Sequence, residues 1–333
     1  MEQFGQLRAY LSDPSEESWT QIIFLLYYNW PKESLQVAID YVGEHLADWP
    51  DRLRKLPPLA VDMLLLSNQL HPVYRLARFL ELEYVPDYQS DNSRICEIIA
   101  NSEHSQQLTA LRLFACDLQP DAAKLLMDSP HLHQLQMLDL GSNDIETIGA
   151  RWIASSPTTK GLKELRLGKN EVGGEGLMAI LFSSHLLQLE VLELGSSHIG
   201  VDAIKYVVHS PRMSKLRELY LPGNWIGDEG AVALAQSPSV ERLEVLDLAY
   251  NHIHSQGAIA LAQSPYLTNL RELNLSDCVV GADALTVFAN TPHLKQLKSL
   301  QLNAPSNDDA STQEEVQKVL VRLGMKGIAV QFS

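Results

Sequence analysis

The sequence predicts an α/β solenoid: short parallel strands stacked in one curved sheet, short helices on its outer side, and an all-α N-terminal region. Three observations predict it. Leucines return at an unbroken interval of 27 residues, each unit passes from strand chemistry to helix chemistry within a few residues, and residues 1–92 ignore the interval. A fixed period of this length marks stacked supersecondary units, none of which buries its apolar face alone.

The interval is read from Leu108, Leu135, Leu162, Leu189, Leu216, Leu243, Leu270 and Leu297. Three and five residues after each comes another leucine, from Leu111 and Leu113 to Leu300 and Leu302, giving eight strand starts in register. In the unit at 216–238, Glu218–Leu221 alternates, so Leu219 and Leu221 face the core while Glu218 and Tyr220 face the other way. Three residues past the last leucine stands a column of Cys116, Asn143, Asn170, Ser197, Asn224, Asn251 and Cys278. Asn bonds nearby backbone groups through its amide, so this column predicts a buried ladder that holds the loops, with structural roles for both cysteines. Asp228 and Glu229 favour the positive end of a helix dipole, and Ser237-Pro238 ends the helix. Six of the seven equivalent positions from 130 to 292 are Pro.

The flanking segments read differently. Asp13-Pro14 before "SEESWTQIIFLLYYNW" signals the start of a helix, Pro31 opens a second, and 57–69 and 71–84 complete a set of four or five short helices, with Trp-Pro steps at 30–31 and 49–50. Residues 93–107 match the helical half of a unit. "STQEEVQKVLVRL" reads as a helix and "GIAVQF" as a strand, both expected to close the last sheet edge. The domain expectation is therefore 1–92 as a helical N-terminal domain or cap, 93–302 as repeats, and 303–333 as a C-terminal capping helix and strand.

The recurring pattern "LxxLxLxxNxIgdeGaxaLA", visible at 216–235 and 243–262, resembles the ribonuclease-inhibitor-like class of leucine-rich repeats over about 108–302. The "SPxL" tail is most similar to large paralogous bacterial families of such repeats, and the opening of the chain resembles a helical companion domain found ahead of them. The resemblance implies a concave strand face and a convex helical face. It does not imply ribonuclease inhibition: the repeat length does not alternate and cysteines are few. That class also includes a GTPase activator, but no activating motif matches here.

Composition narrows the function. With 26 Lys+Arg against 41 Asp+Glu the chain is acidic, which disfavours nucleic acid or an anionic membrane as partner. Cys96, Cys116 and Cys278 form no C-x-x-C pair, and no basic leader or long apolar run is present. A soluble cytoplasmic protein is expected. No nucleophile-elbow, zincin or P-loop motif occurs, so no catalytic residue, cofactor or metal site is assigned. "GGEG" at 173–176 reads as helix packing rather than a phosphate loop, and His252 with His254 as loop residues rather than metal ligands.

Repeats of this kind build extended binding surfaces. Two outward columns run along the strands: Ala110, Met137, Glu164, Val191, Glu218, Val245 and Glu272; then Arg112, Asp139, Arg166, Glu193, Tyr220, Asp247, Asn274 and Gln301. Before them, Lys163, Glu190, Arg217, Glu244 and Arg271 alternate in sign and are expected to pair across strands ~4.8 Å apart. Trp225 stands in a column otherwise polar in most units, beside Tyr220, Tyr250, His198 and His252. Trp and Tyr are enriched at interface anchors. The candidate partner-binding residues are Tyr220, Trp225, Tyr250, His198, His252, Arg112, Arg166, Glu193 and Asp247. The primary expectation is a non-catalytic protein-interaction scaffold. The alternative is a regulator, activator or inhibitor, of a GTPase or hydrolase, using Arg112 or Arg166 toward a phosphate or acidic site.

Overall fold

A computed structural model describes residues 2–57, 64, 69–83, 93–303 and 310–332. The predicted helix at 57–69 lies largely outside these. Two compact units divide the chain: one comprises 1–143 with 156–162, the other 144–155 with 163–333.

In the first unit, helices α1 (Glu2–Leu11), α2 (Glu16–Tyr28) and α3 (Leu35–His45) come first. The Ser15 hydroxyl accepts the Ser18 N–H at 3.1 Å, and Glu16 and Glu17 occupy the first turn of α2, which is why the helix begins there. Leu7, Trp19, Ile22, Leu26, Ala38, Val42 and Trp49 fill the core between these helices. The Trp19 indole donates to the Lys55 carbonyl at 2.5 Å, so its one polar atom is satisfied while the ring is buried.

The described part of the predicted helix at 71–84, residues 71–83, departs from the helical reading. A 3-10 helix spans Pro72–Leu76, and strand β1 (Phe79–Glu83) follows. It pairs in parallel with β2 (Ala110–Phe114), with Leu80 opposite Leu111 and Leu82 opposite Leu113. Stepping back 27 from Leu108 lands on Glu81, whereas the true register offset is 31, so the period conceals this strand. The period-2 burial of Leu80 and Leu82 between outward Glu81 and Glu83 is what makes it a strand. β3 (Met137–Asp139) pairs with β2 in turn. Helices α4 (Ser93–Asn101) and α5 (Pro120–Met127) lie between the strands in sequence.

The second unit repeats one plan. Strands β4 (Glu164–Arg166), β5 (Val191–Glu193), β6 (Glu218–Tyr220), β7 (Val245–Asp247), β8 (Glu272–Leu275), β9 (Ser299–Leu302) and β10 (Ala329–Phe332) pair in sequence order, all parallel. Leu165, Leu192, Leu219, Leu246, Leu273 and Leu300 stand opposite one another and are at most 1 % exposed. Helices α6 (Glu146–Ser155), α7 (Gly173–Leu181), α8 (Gly200–Val207), α9 (Gly227–Gln236), α10 (Ser255–Ala262) and α11 (Ala282–Asn290) alternate with the strands. Helix α12 (Ala310–Met325) precedes β10, which pairs with β9. "GGEG" is a packing device: a side chain at Gly174 would sit 2.8 Å from Ala203 Cβ and 2.9 Å from the Ile199 carbonyl.

Two polar ladders run through the stack. Asn224 Oδ1 accepts the N–H groups of Ser197 (3.0 Å) and Ile199 (3.2 Å), and its Nδ2 donates to the carbonyls of Leu194 (2.7 Å) and Pro222 (3.2 Å). Asn251 does the same for Asn224, Ile226, Leu221 and Ala249. In the first unit Asn143 serves Cys116, Leu118, Leu113 and Leu140. Asn170, Asn224 and Asn251 are fully buried, so each satisfies groups that water cannot reach. Where cysteine replaces Asn, the thiol is a weak donor: Cys278 Sγ lies 3.5 Å from the Leu248 carbonyl and Cys116 Sγ 3.4 Å from that of Phe114. Burial pushes the Cys278 thiol pKa up, and all three cysteines are buried and outside any disulfide.

The second ladder was visible only as a recurrent Ser before Pro. Its hydroxyls reach back one repeat to the end of the preceding helix. Ser237 donates to the Val208 carbonyl at 2.7 Å, Ser264 to Ala235 at 2.6 Å, and Thr291 to Ala262 at 2.6 Å. In the first unit Ser129 and Ser156 do so toward Ala100 and Met127. The same oxygen accepts the N–H two residues on, as Ser237 does from Ser239, capping the 3-10 turn that follows.

Candidate protein-binding face

In the second unit four loops between strand and helix carry left-handed residues at the same two positions. These are Lys169 and Glu171, Ser196 and His198, Gly223 and Trp225, Tyr250 and His252, with φ between +51° and +69°. Glycine fits such positions without penalty, whereas a side chain with a Cβ costs ~1 kcal/mol or more. Trp225 (φ +54°) and Tyr250 (φ +55°) nevertheless hold two of them, 57 % and 60 % exposed. They accept the backbone cost without the return that burial would bring. The His198 ring stacks on Trp225 with centroids 4.9 Å apart and planes inclined by 23°. Val279, 69 % exposed, continues the column of Trp225 and His252; the sequence reading stopped one repeat short of it.

Tyr220 sits on the strand face itself, half-buried, with its hydroxyl donating to Glu218 at 2.8 Å. Burial and that carboxylate raise its pKa well above the ordinary phenol value, so it is a neutral hydrogen-bonding group at any physiological pH. A bond to Asp277 raises the Tyr250 pKa as well.

The candidate carboxylates are committed to the chain's own loops. Glu193 accepts the N–H groups of Gly168 and Gly195, each at 2.9 Å. Asp247 accepts the Ala249 N–H at 2.9 Å and Asn274 Nδ2 at 3.0 Å. Sequence reasoning saw only an outward column; these side chains are loop caps as well. Burial raises the Asp247 pKa despite both bonds, so its folded pKa exceeds its unfolded one. The sign follows: the folded state binds the extra proton, so this group favours folding below its unfolded pKa and loses that contribution as pH rises through the folded pKa. Asp247→Asn removes that decline, so stability is expected to rise more steeply with pH on the acid side than in the parent protein. Chemical denaturation of both proteins across that window checks it, and parallel profiles would refute it.

The arginines are similarly engaged. In the first unit Arg112 meets Glu81 at 2.7 Å, Glu83 at 2.8 Å and Asp139 at 3.1 Å, so three carboxylates surround one guanidinium. Arg166 pairs with Glu164 at 2.5 Å. The alternating column pairs in part, with Glu244 between Arg217 and Arg271, the latter at 2.9 Å, whereas among the described residues no ion pair joins Lys163 or Glu190 to it. His254 Nδ1 lies 3.4 Å from Asp228 Oδ2, and Asp228 also accepts the N–H groups of His254 and Gly257. Among the described residues no group of three His, Cys, Asp or Glu is placed to hold a metal ion, and no helix is long and apolar enough to cross a membrane.

A family model described as Leucine Rich repeat matches residues 162–181, 212–235, 243–262 and 266–289. These are leucine-rich repeats. Among solved structures, an internalin (inlF) from Listeria monocytogenes is similar at 16 % identity and TM-score 0.45, covering 79 % of this chain and 69 % of that one. The chain is also similar to a structure of yeast Rad7 and Elc1, at 18 % identity and TM-score 0.45 over 81 % and 75 % of the two chains. The Arabidopsis receptor kinase HAESA, solved with the peptide hormone IDA and the co-receptor SERK1, is similar at 16 % identity and TM-score 0.37, over 64 % of this chain and 36 % of that one. No curated protein sequence matches.

Proposed function

We propose that this leucine-rich repeat protein, of the ribonuclease-inhibitor-like type, is a non-catalytic scaffold that binds a protein partner through the strand face and the adjoining loop rim of its second unit. One observation carries the reading. Trp225 and Tyr250 occupy left-handed backbone positions, expose more than half their surface, and flank His198 and His252 in the same strained geometry. Backbone strain retained without burial is characteristic of a surface used for recognition, and Trp and Tyr are the side chains that most often anchor interfaces. Tyr220 supplies a neutral donor beside them. The alternative of a regulator acting through Arg112 gains no support, because Glu81, Glu83 and Asp139 already surround that guanidinium.

The test pairs binding with stability. Trp225→Gly relieves the left-handed strain, so it is expected to stabilise the chain by up to about 1 kcal/mol against the loss of the His198 stack. Combined with Tyr250→Gly, it is expected to weaken partner capture at least tenfold. Phe182→Ala with Tyr206→Ala, on exposed residues just after α7 and in α8, should leave capture intact. Capture unaffected by the glycine pair, or lost with the helix-face pair, rejects the rim as the anchor.

A further inference from the structure

A cleft of about 680 Å³ opens within the first unit, between α3 and the segments carrying Arg54, Arg75 and Arg78. Arg54 is 7 % exposed. Its Nε donates to the Leu76 carbonyl at 2.9 Å, and its Nη1 lies 3.9 Å from Asp51, beyond hydrogen-bond reach. Among the described residues neither of its terminal nitrogens has a hydrogen-bond acceptor, and the side chain lines the cleft. Arg78 lies against the same carboxylate, with Nε 3.3 Å from Asp51, while its Nη1 donates to the Gln107 carbonyl at 2.8 Å. Arg75 is exposed, lines the cleft, and has no partner among the described residues.

Arg54 and Arg78 thus share the Asp51 carboxylate, in a chain whose net charge is −15. A buried charge is stable when closely paired and fully hydrogen-bonded, and Arg54 has only the long Asp51 contact and one hydrogen bond. Desolvation, then the Arg78 charge, lowers its pKa to about 10, so it remains a cation at neutral pH. A planar guanidinium with two open N–H edges is shaped for a carboxylate or phosphate.

We propose that this cleft binds the oxyanion group, carboxylate or phosphate, of a small zwitterionic ligand through Arg54 and Arg78, with Arg75 at its exposed edge. The zwitterion follows from the remaining lining. Asp40, Glu44 and Glu103 also face the cleft and repel a polyanion, while they suit an ammonium group on the same ligand. This site is independent of the aromatic rim.

The full chain titrated with phosphoethanolamine and with the dipeptide Gly-Gly, by calorimetry or NMR shift mapping, tests the proposal and separates the two oxyanion sources. At least one probe is expected to bind saturably and more tightly than inorganic phosphate. Arg78→Gln is expected to weaken binding at least tenfold. Arg75→Gln, on an exposed side chain and so harmless to folding, is expected to weaken it about threefold. Saturable binding by neither probe, or binding untouched by both substitutions, overturns the site.

Discussion

Asn224→Ala is expected to cost about 4 kcal/mol of unfolding free energy, because it strands three backbone groups at once and each buried orphan costs about 1–3 kcal/mol. The Ser197 and Ile199 N–H groups lose their acceptor and the Leu194 carbonyl loses its donor, while the Pro222 carbonyl keeps the Ser196 N–H at 2.7 Å. Asn224 is fully buried, so water reaches these groups only if the loop opens. The alanine also leaves a small void, which adds to the cost. Asn251→Ala should cost a similar amount, for the same reason. The pair should not be additive: Asn251 Oδ1 accepts the Asn224 backbone N–H at 2.8 Å, so the first substitution loosens the loop whose satisfaction the second removes. A coupling of at least ~0.5 kcal/mol is expected for residues sharing one network. Urea denaturation of the four proteins measures both quantities. A single-variant loss under about 1 kcal/mol would show that the ladder contributes little beyond what water supplies.

The second large effect lies in the leucine stack. Leu219→Ala should destabilise by about 3 kcal/mol, the sum of lost transfer energy and the cavity left behind. Leu219 is fully buried and stands in register between Leu192 and Leu246, with β5 and β7 hydrogen-bonded on either side, so the backbone has little room to collapse into the void. Glu218→Ala, one residue earlier and on the outward face, should change stability by no more than about 0.5 kcal/mol. The contrast between neighbours is the sharper measurement: equal losses at 218 and 219 would mean that the two side chains do not face opposite ways.

The leucine columns were legible because they repeat without insertion from Leu108 to Leu302, and strands β2 to β9 fall where they place them. The Asn column was legible for a related reason: a polar residue recurring among buried ones must serve the backbone. β1 escaped because its distance to β2 is four residues longer than the period, which put Glu81 where a leucine was sought. The serine ladder showed in the sequence as a column, but its acceptors are carbonyls 29 residues earlier, a pairing that only the stacked helices create. Trp225 stood out by composition, yet nothing in the letters says that it sits at φ +54°. Arg54 gave no signal at all. Its burial against Leu76 and its nearness to Arg78 arise from tertiary contacts between segments more than twenty residues apart.

Both ladders point one way along the chain. Asn143 satisfies N–H groups at 116 and 118, Asn224 those at 197 and 199, Asn251 those at 224 and 226, and Ser237 returns to the carbonyl of 208. The group that closes any turn is therefore translated about one unit after the turn itself. At roughly 5–20 residues per second, a ribosome leaves the newest loop open for about 1–5 s before its closing amide emerges. Growth of the nascent protein is a zipper whose teeth lock one step behind the end being made. A stall anywhere in the array leaves the most recent unit, and no earlier one, open to proteases.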